Sequence, residues 1–218
     1  MKARMKLTLL KLTLLLLLTA CGTAPGGGDD GGSIEVTGWL ERSLILTTTP
    51  EPLDASTAKP LTISGRPGAA PNQGRVDAIV ARSGAAAGAD VSSVGSFVLE
   101  VPVLLGDAVH LTYSHEGVSP AEVDVDVTQH ALFPPVAAPP AVSAPDAHAN
   151  VSVGVVFVSA LSGERIFVSN HDNQHVAELT MVSTTEVVGH IPGDHGHTLL
   201  LYALTASGST EAHHLTVP

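Results

Sequence analysis

Cysteine is almost missing from this chain of 218 residues, in which Cys21 is the only one. A single thiol excludes an intramolecular disulfide and a zinc site built from several thiolates. If Cys21 is acylated, no thiol is left to act as a catalytic nucleophile. The fold must therefore be stabilised by packing.

Aromatic and basic residues are scarce as well. The chain has one Trp, two Tyr and four Phe; four of these seven, Phe97, Tyr113, Phe157 and Phe167, occupy alternating positions that suit β-sheet cores. Few rings are left for stacking on sugars, so a carbohydrate-binding role has weak support. Only ten Lys and Arg oppose 21 Asp and Glu, and this balance disfavours nucleic acid as a partner.

Sequence patterns of the common catalytic sites are absent from all 218 residues. There is no Gly-x-Ser-x-Gly nucleophile elbow, no His-Glu-x-x-His zinc motif and no glycine-rich phosphate loop between a strand and a helix. Nothing in the sequence pairs two carboxylates across a cleft. We therefore expect a protein without enzymatic activity and without a cofactor.

The N-terminus has a leucine-rich segment behind basic residues. Lys2, Arg4 and Lys6 precede residues 7–18, and this order is typical of an export signal. Twelve residues form a helix of roughly 18 Å, which is too short to cross a hydrocarbon core of about 30 Å. We expect residues 1–20 to be a cleaved signal peptide.

That signal ends in Leu18, Thr19, Ala20 and Cys21, which resemble the lipobox of bacterial lipoproteins. The resemblance implies cleavage before Cys21, diacylglycerol on its sulfur, and contact with the membrane through that lipid. A plain secretory signal that happens to meet a cysteine is the alternative. Gly22 stands where an Asp would resemble an inner-membrane retention signal, so we expect a lipid-anchored protein of the cell envelope, at the outer membrane.

Cleavage would make the chain still more acidic. Residues 1–20 contain four of the ten basic residues and no acidic one, so their removal leaves six against 21, a net charge of −15 with neutral histidines. Attraction to anionic lipid headgroups by charge is therefore disfavoured, and the partner we expect is a protein of the cell envelope.

Two low-complexity segments divide the remaining chain. Residues 21–33 are rich in glycine and have no apolar periodicity, which predicts a flexible tether. Residues 129–149 contain two proline pairs and predict an extended Pro/Ala-rich linker. The chain would then consist of a first domain, residues 34–128, and a second, residues 150–218, joined like beads on a string.

The two domains are related by a repeat with a constant offset of 90 residues. Pro102 corresponds to Pro192 and Gly106 to Gly196, and the same shift relates Arg75, Ser93, Val98, Leu111 and Val127 to identical residues. Shared turn glycines, prolines and inward aliphatic residues in one register predict two copies of one fold. Residues 34–53 fall outside this repeat. They predict one or two strands that bury Trp39, or alternatively a helix over residues 39–46.

Within each copy, apolar and polar residues alternate. Val123, Val125 and Val127 alternate with acidic residues, which is typical of a half-buried antiparallel strand. Many such runs separated by turn residues predict an all-β protein with two tandem Ig-like antiparallel β-sandwiches.

Residues 95–127 of the first copy, with Gly-Ser-Phe, Val-Pro, a Gly-Asp turn and a final alternating strand, resemble the C-terminal half of bacterial Ig-like and carboxypeptidase-regulatory-like modules. The resemblance implies non-catalytic spacers, stalks or contact surfaces on secreted and cell-surface proteins. The second copy departs from the pattern, because Thr185, Glu186 and Val187 replace Gly-Ser-Phe and His197 replaces the Asp of the turn.

Seven of the eleven histidines lie in the second copy, and imidazole is a common ligand of zinc, copper and nickel. His190, His195 and His197 are the candidate metal ligands. The competing interpretation is that they are surface residues, because the repeat aligns His190 with Glu100 and His197 with Asp107, positions expected to face solvent.

A second candidate site is the acidic strand face of Glu122, Asp124 and Asp126. Calcium could bind there at a junction between domains, but a solvated face whose charges discourage edge pairing is favoured.

Together, these features predict a membrane-anchored, non-catalytic lipoprotein that serves as a surface or periplasmic protein-interaction or structural module. The alternative is a lipoprotein that binds a metal or a small ligand through its histidine-rich second domain.

Overall fold

Residues 36–218 are described by the computed structural model, and they belong to one compact unit. Their regular structure is all strand apart from one 3₁₀ turn at Arg42–Leu44, which confirms the all-β prediction. The alternative helix over residues 39–46 is wrong, because the turn passes directly into a strand. Trp39 is 52% exposed, so the expected burial of its ring is wrong as well.

The first sandwich contains eight strands: β1 (Val36–Thr37), β2 (Ile45–Thr48), β3 (Lys59–Gly65), β4 (Arg75–Val80), β5 (Ala86–Asp90), β6 (Phe97–Val103), β7 (Ala108–His115) and β8 (Val118–Asp126). One sheet has the order β2-β3-β6 and the facing sheet has the order β1-β8-β7-β4-β5. All pairs are antiparallel except β1 with β8.

The second sandwich contains nine strands: β9 (Ala141–Val142), β10 (Asn150–Val156), β11 (Arg165–Asn170), β12 (His175–Glu178), β13 (Thr180–Ser183), β14 (Glu186–Pro192), β15 (Thr198–Thr205), β16 (Gly208–Ser209) and β17 (His213–Thr216). One sheet has the order β13-β14-β10-β9. The other has the order β12-β11-β15, and both β16 and β17 pair with β15.

Strand bounds and registers confirm the predicted repeat. Strands β4 and β11, like β7 and β15, have bounds that differ by 90 residues. Leu61 pairs with Val101 in the first sandwich, and their equivalents Val151 and Ile191 pair in the second. Gly106 and Gly196 both have φ near +83°, the left-handed region that favours glycine at this turn.

The repeat also reaches further than the sequence predicted. Residues 36–48 first pair in parallel with β8 and then cross to pair with β3. The chain from residue 131 to 142 does the same in the second sandwich, where Ala131 bridges Thr210 in parallel before β9 pairs with β10. Residues 129–149 are therefore not only an extended spacer. Part of this segment is the entry strand of the second sandwich.

Each sandwich has its own core, made by the inward side chains of its two sheets. Phe97 and Tyr113 lie in the first core and Phe157 in the second, as predicted. Phe133, Val136 and Val142 from the expected linker pack against the second core. The boundaries proposed for the domains remain a prediction.

Candidate functional site: the contact between the sandwiches

The two sandwiches pack against each other through the outer faces of two sheets. In β11 and β15, residues that alternate with the core residues point away from the second core, and they form a separate apolar cluster with Leu46 of β2: Leu46, Phe167, Leu200 and Tyr202. All four are buried, between 0% and 7% exposed. The expectation that Phe167 fills a sandwich core is therefore wrong, since it fills the space between sandwiches. We call this region the inter-sandwich contact.

Hydrogen bonds cross the inter-sandwich contact at both of its ends. Near β2, the hydroxyl of Thr48 donates to the carbonyl of Thr210 at 2.6 Å, and the amide of Ala212 donates to the carbonyl of Thr49 at 2.7 Å. Near β6, the side-chain oxygen of Gln174 accepts from the amide of Val98 at 2.7 Å. These bonds connect backbone that would otherwise be left buried without partners.

Two guanidinium groups lie near the ring of Phe167. Arg66 of the first sandwich lies 5.4 Å from the ring centroid, and Arg165 of the second lies 5.2 Å from it. Cations at this distance are attracted by the ring face. Arg165 also binds Glu178, with Nε 2.6 Å from Oε1, and this hydrogen bond lowers the pKa of Glu178. The charged groups thus lie at the rim of the apolar cluster.

The inter-sandwich contact also holds most of the unpartnered buried polar atoms. In residues 36–218, seven buried side-chain polar atoms make no hydrogen bond, and six belong to this contact: those of Thr49, Ser64, Arg66, His130, Ser169 and Tyr202. The seventh is an oxygen of Asp107, which is ion-paired with Arg82 at 3.1 Å. Each unmade bond costs about 1–3 kcal/mol.

Tyr202 lies at the centre of these atoms. Burial raises the pKa of Tyr202 to about 12, although the nearby hydroxyls of Ser64 and Ser169 and the charge of Arg66 act in the opposite direction. The hydroxyls of both serines lie against the phenol without reaching hydrogen-bond geometry. Burial thus favours the neutral form of the phenol.

His130 occupies the short connection between the sandwiches. The residue is 7% exposed, Nε2 lies 3.1 Å from the hydroxyl of Thr47, and Nδ1 is buried without a partner. Burial lowers the pKa of His130, and the contact with Thr47 offsets this only in part. The ring lines a cleft of about 300 Å³ shared by both sandwiches, with Arg42, Asp126 and residues 207–209 among its walls. Sequence reasoning did not single out this histidine, because a lone His beside a proline-rich segment carries no pattern.

The acidic strand face is solvent-exposed, as the sequence favoured: Glu122, Asp124 and Asp126 all lie on the surface. His110 of the neighbouring strand lies between two of them, with Nδ1 2.8 Å from Asp124 and Nε2 3.6 Å from Glu122. The hydrogen bond with Asp124 raises the pKa of His110. The face is therefore organised around an imidazole that the sequence analysis did not place there.

The three candidate metal ligands have different surroundings. His190 is exposed on β14, and Nδ1 of His195 contacts the carbonyl of Pro218. Nδ1 of His197 accepts from the side-chain amide of Asn170 at 3.0 Å. Among residues 36–218, no three His, Asp or Glu side chains converge closely enough to hold a metal ion.

The expectation that positions 107 and 197 face solvent is wrong. Asp107 is 5% exposed, and one of its oxygens accepts from the amide of Leu104 at 2.9 Å. His197 at the equivalent turn is half-buried beside Asn170. The side chain of Asp107 thus closes the turn after β6, whereas the side chain of His197 is held by Asn170 of β11.

Cys21, the signal peptide and the glycine tether lie outside the described residues, and lipid attachment remains a prediction. Within residues 36–218, no helix has the length and hydropathy needed to cross a bilayer.

No protein-family model and no curated protein matches this chain. Among solved structures it is similar to the BSP domain of a biofilm-associated protein, with 15% identity and a TM-score of 0.31 over 79% of this chain. The match spans only 29% of that protein. It is also similar to a segment of two fibronectin type III domains from chicken tenascin, with 13% identity and a TM-score of 0.26, covering 78% of this chain and 98% of that segment.

By its strand order and register, the chain has an Ig-like, predominantly antiparallel β-sandwich fold. It is a tandem of two such sandwiches, packed face to face.

Proposed function

We propose that the protein is a lipid-anchored, non-catalytic lipoprotein of the bacterial cell envelope whose two sandwiches act together as one structural and protein-interaction module. The lipobox-like end at Cys21 supports the anchor. The inter-sandwich contact is the observation that carries the module, because it buries an apolar cluster and crosses it with hydrogen bonds. Two sandwiches held this way present their outer surfaces in one arrangement, which a freely jointed pair does not.

The partner surface we favour is the acidic face of the first sandwich. Glu122, Asp124 and Asp126 are exposed on one strand, and the mature chain would carry a net charge of −15. A basic surface of another envelope protein complements this face, and such complementarity chiefly raises the association rate. Within the described residues 36–218, His190, His195 and His197 do not form a cluster that supports the alternative of a metal site.

The anchor is tested by detergent partition and by intact mass of the mature protein from a bacterial host. We expect the wild type in the detergent phase, with diacylglycerol on Cys21, and the Cys21→Ser variant as an uncleaved precursor or a released protein. Ser33→Ala is the matched control, since it alters a small tether residue and leaves the lipobox intact. A mature protein with an unmodified Cys21 contradicts the lipoprotein assignment.

The interaction role is tested by cross-linking the anchored protein in the producing bacterium and identifying its conjugates by mass spectrometry. We expect Glu122→Gln with Asp124→Asn to reduce the conjugate several-fold. The control is Glu51→Gln with Glu116→Gln, an equal loss of charge at exposed loop positions of the same sandwich, outside β8. Equal loss in both double variants would show that net charge, and not this face, governs the association.

A further inference from the structure

Buried polar atoms without a hydrogen-bond partner are concentrated at the inter-sandwich contact. Six of the seven unpartnered buried polar atoms in residues 36–218 lie at the contact, and the seventh, an oxygen of Asp107 in the first sandwich, is ion-paired with Arg82. When the two faces separate, water can hydrate Ser64, Ser169 and Tyr202 while the cores remain closed. The unpartnered groups therefore favour separation along the contact over opening of either core.

The connection between the sandwiches is short enough to act as a hinge. The amide of Val127 still bonds to Asp107 in the first sandwich, and Ala131 already pairs with Thr210 in the second. Only residues 128–130 lie between these anchors. A rotation of one sandwich against the other must be absorbed there.

His130 is the residue of this hinge whose charge can change near neutral pH. Its ring is buried, Thr47 partners one nitrogen, and the other nitrogen has no partner. A neutral imidazole tolerates this arrangement, because one of its nitrogens carries no proton. A protonated ring has two N–H donors, and the second is left without an acceptor in the closed form.

The charged groups around the cleft do not remove this conflict. Arg42 and Asp126 line the cleft from the first sandwich. The charge of Arg42 opposes a positive imidazole, and the charge of Asp126 favours one. Arg42 is held by the carbonyl of Ile45 at 3.1 Å. The second sandwich contributes Leu204 and residues 207–209, none of which titrates. Glu211 reaches this region through a backbone bond to Ala131.

We propose that the two sandwiches form a reversible latch: they separate as folded units about residues 128–130, and protonation of His130 favours the separated form. Separation exposes the apolar face of Phe167, Leu200 and Tyr202. The latch thus couples external acidity to the display of a surface that is hidden near neutral pH.

The test is thiol labelling of residues 22–218, which contain the whole compact unit and no native cysteine. Ser169→Cys places a thiol at the contact, Ala203→Cys places one in the second core, and Ser83→Cys provides an exposed reference. A dipyridyl disulfide reports the rates at pH 7.5 and pH 5.5. Division by the Ser83→Cys rate removes the pH dependence of the reaction itself.

We expect the thiol at the contact to react at least about tenfold faster than the thiol in the core at both pH values. Its normalised rate rises several-fold at pH 5.5, and His130→Gln, which cannot be protonated, abolishes that rise. Equal rates at contact and core would show that the sandwiches separate only when the protein unfolds, and would overturn the latch. A rise that persists with His130→Gln would overturn the role of this histidine. If circular dichroism shows that His130→Gln is unfolded, His130→Asn replaces it.

Discussion

The outer face of the equivalent sheet is apolar and buried in the second sandwich, and polar and partly exposed in the first. Phe167, Leu200 and Tyr202 of the second are buried, and their equivalents 90 residues earlier, Asp77, His110 and Thr112, are at least partly exposed. Backbone register is shared, so the difference lies in side chains alone. The face of the second sandwich is apolar where the first sandwich covers it. The equivalent face of the first sandwich is polar, which discourages a further sandwich from adding to it.

The entry strand is expected to have the largest effect on the second sandwich. We compare a fragment of residues 131–218 with one of residues 150–218, both of which expose the same outer face. The shorter fragment loses the contacts of three half-buried side chains, Phe133, Val136 and Val142, with the core. These contacts stabilise it by roughly 2–5 kcal/mol, at about half of the roughly 1.5–3 kcal/mol that a fully buried side chain contributes, and the lost pairing of β9 with β10 adds to this effect. We expect the longer fragment to melt cooperatively and the shorter to be mostly unfolded by circular dichroism. Equal urea midpoints would contradict a structural role for residues 131–149.

Exchanging residues between the two faces has the next largest effect. Phe167→Asp places a carboxylate in the inter-sandwich contact and removes a buried ring, a loss we expect to lower the free energy of unfolding by about 3–5 kcal/mol. The reciprocal change, Asp77→Phe, adds an exposed ring and is expected to leave stability within about 1 kcal/mol while promoting self-association. Urea unfolding measures the first effect and gel filtration the second. If Phe167→Asp unfolds like the wild type, the contact is not formed in solution.

The sequence predicted the cores better than it predicted the contact between them. Alternation identified the inward residues, because a half-buried strand has a period of two. Residues 199–203 carry one signal of the contact: the run Leu-Leu-Leu-Tyr-Ala is apolar at every position instead of every second one, which is typical of a strand buried on both faces. The role of His130 could not have been found this way, since its burial depends on how two distant surfaces meet.

Core packing also differs between the copies, at one pair of positions. Gly65 pairs with Phe97 in the first sandwich, and Val155 pairs with Val187 at the equivalent positions in the second. A Cβ atom at Gly65 would lie 2.2 Å from the ring of Phe97. The first pair thus divides its volume unevenly, between a glycine and a large ring, and the second pair divides it evenly between two valines.

A double-mutant cycle tests this complementarity. Gly65→Val alone forces the ring of Phe97 to move and is expected to lower the free energy of unfolding by about 1–3 kcal/mol. Combining it with Phe97→Val reproduces the pair of the second sandwich and should recover part of that loss. Denaturant unfolding of the two single variants and the double variant gives the coupling energy. Strictly additive losses would mean that the two positions do not share this space.

The smallest effect concerns two histidines whose pKa values are shifted in opposite directions. Burial lowers the pKa of His130, and the hydrogen bond with Asp124 raises the pKa of His110. For His130, the unfolded chain binds the proton first, so its contribution to stability is complete above about pH 6.5 and is lost as the pH falls below that value. For His110 the order is reversed: its stabilisation is present below about pH 6.5 and is lost as the pH rises through its folded pKa.

Two-dimensional NMR of the imidazole resonances measures both values directly. We expect the His130 midpoint below, and the His110 midpoint above, the ordinary value of about 6.5. His130→Gln should flatten the fall in urea midpoint below about pH 6.5. His110→Gln is the matched control: it removes an exposed, salt-screened pair and leaves that fall in place. A His130 that titrates at or above the ordinary value would mean that water reaches its ring, and that the junction between the sandwiches is open near neutral pH.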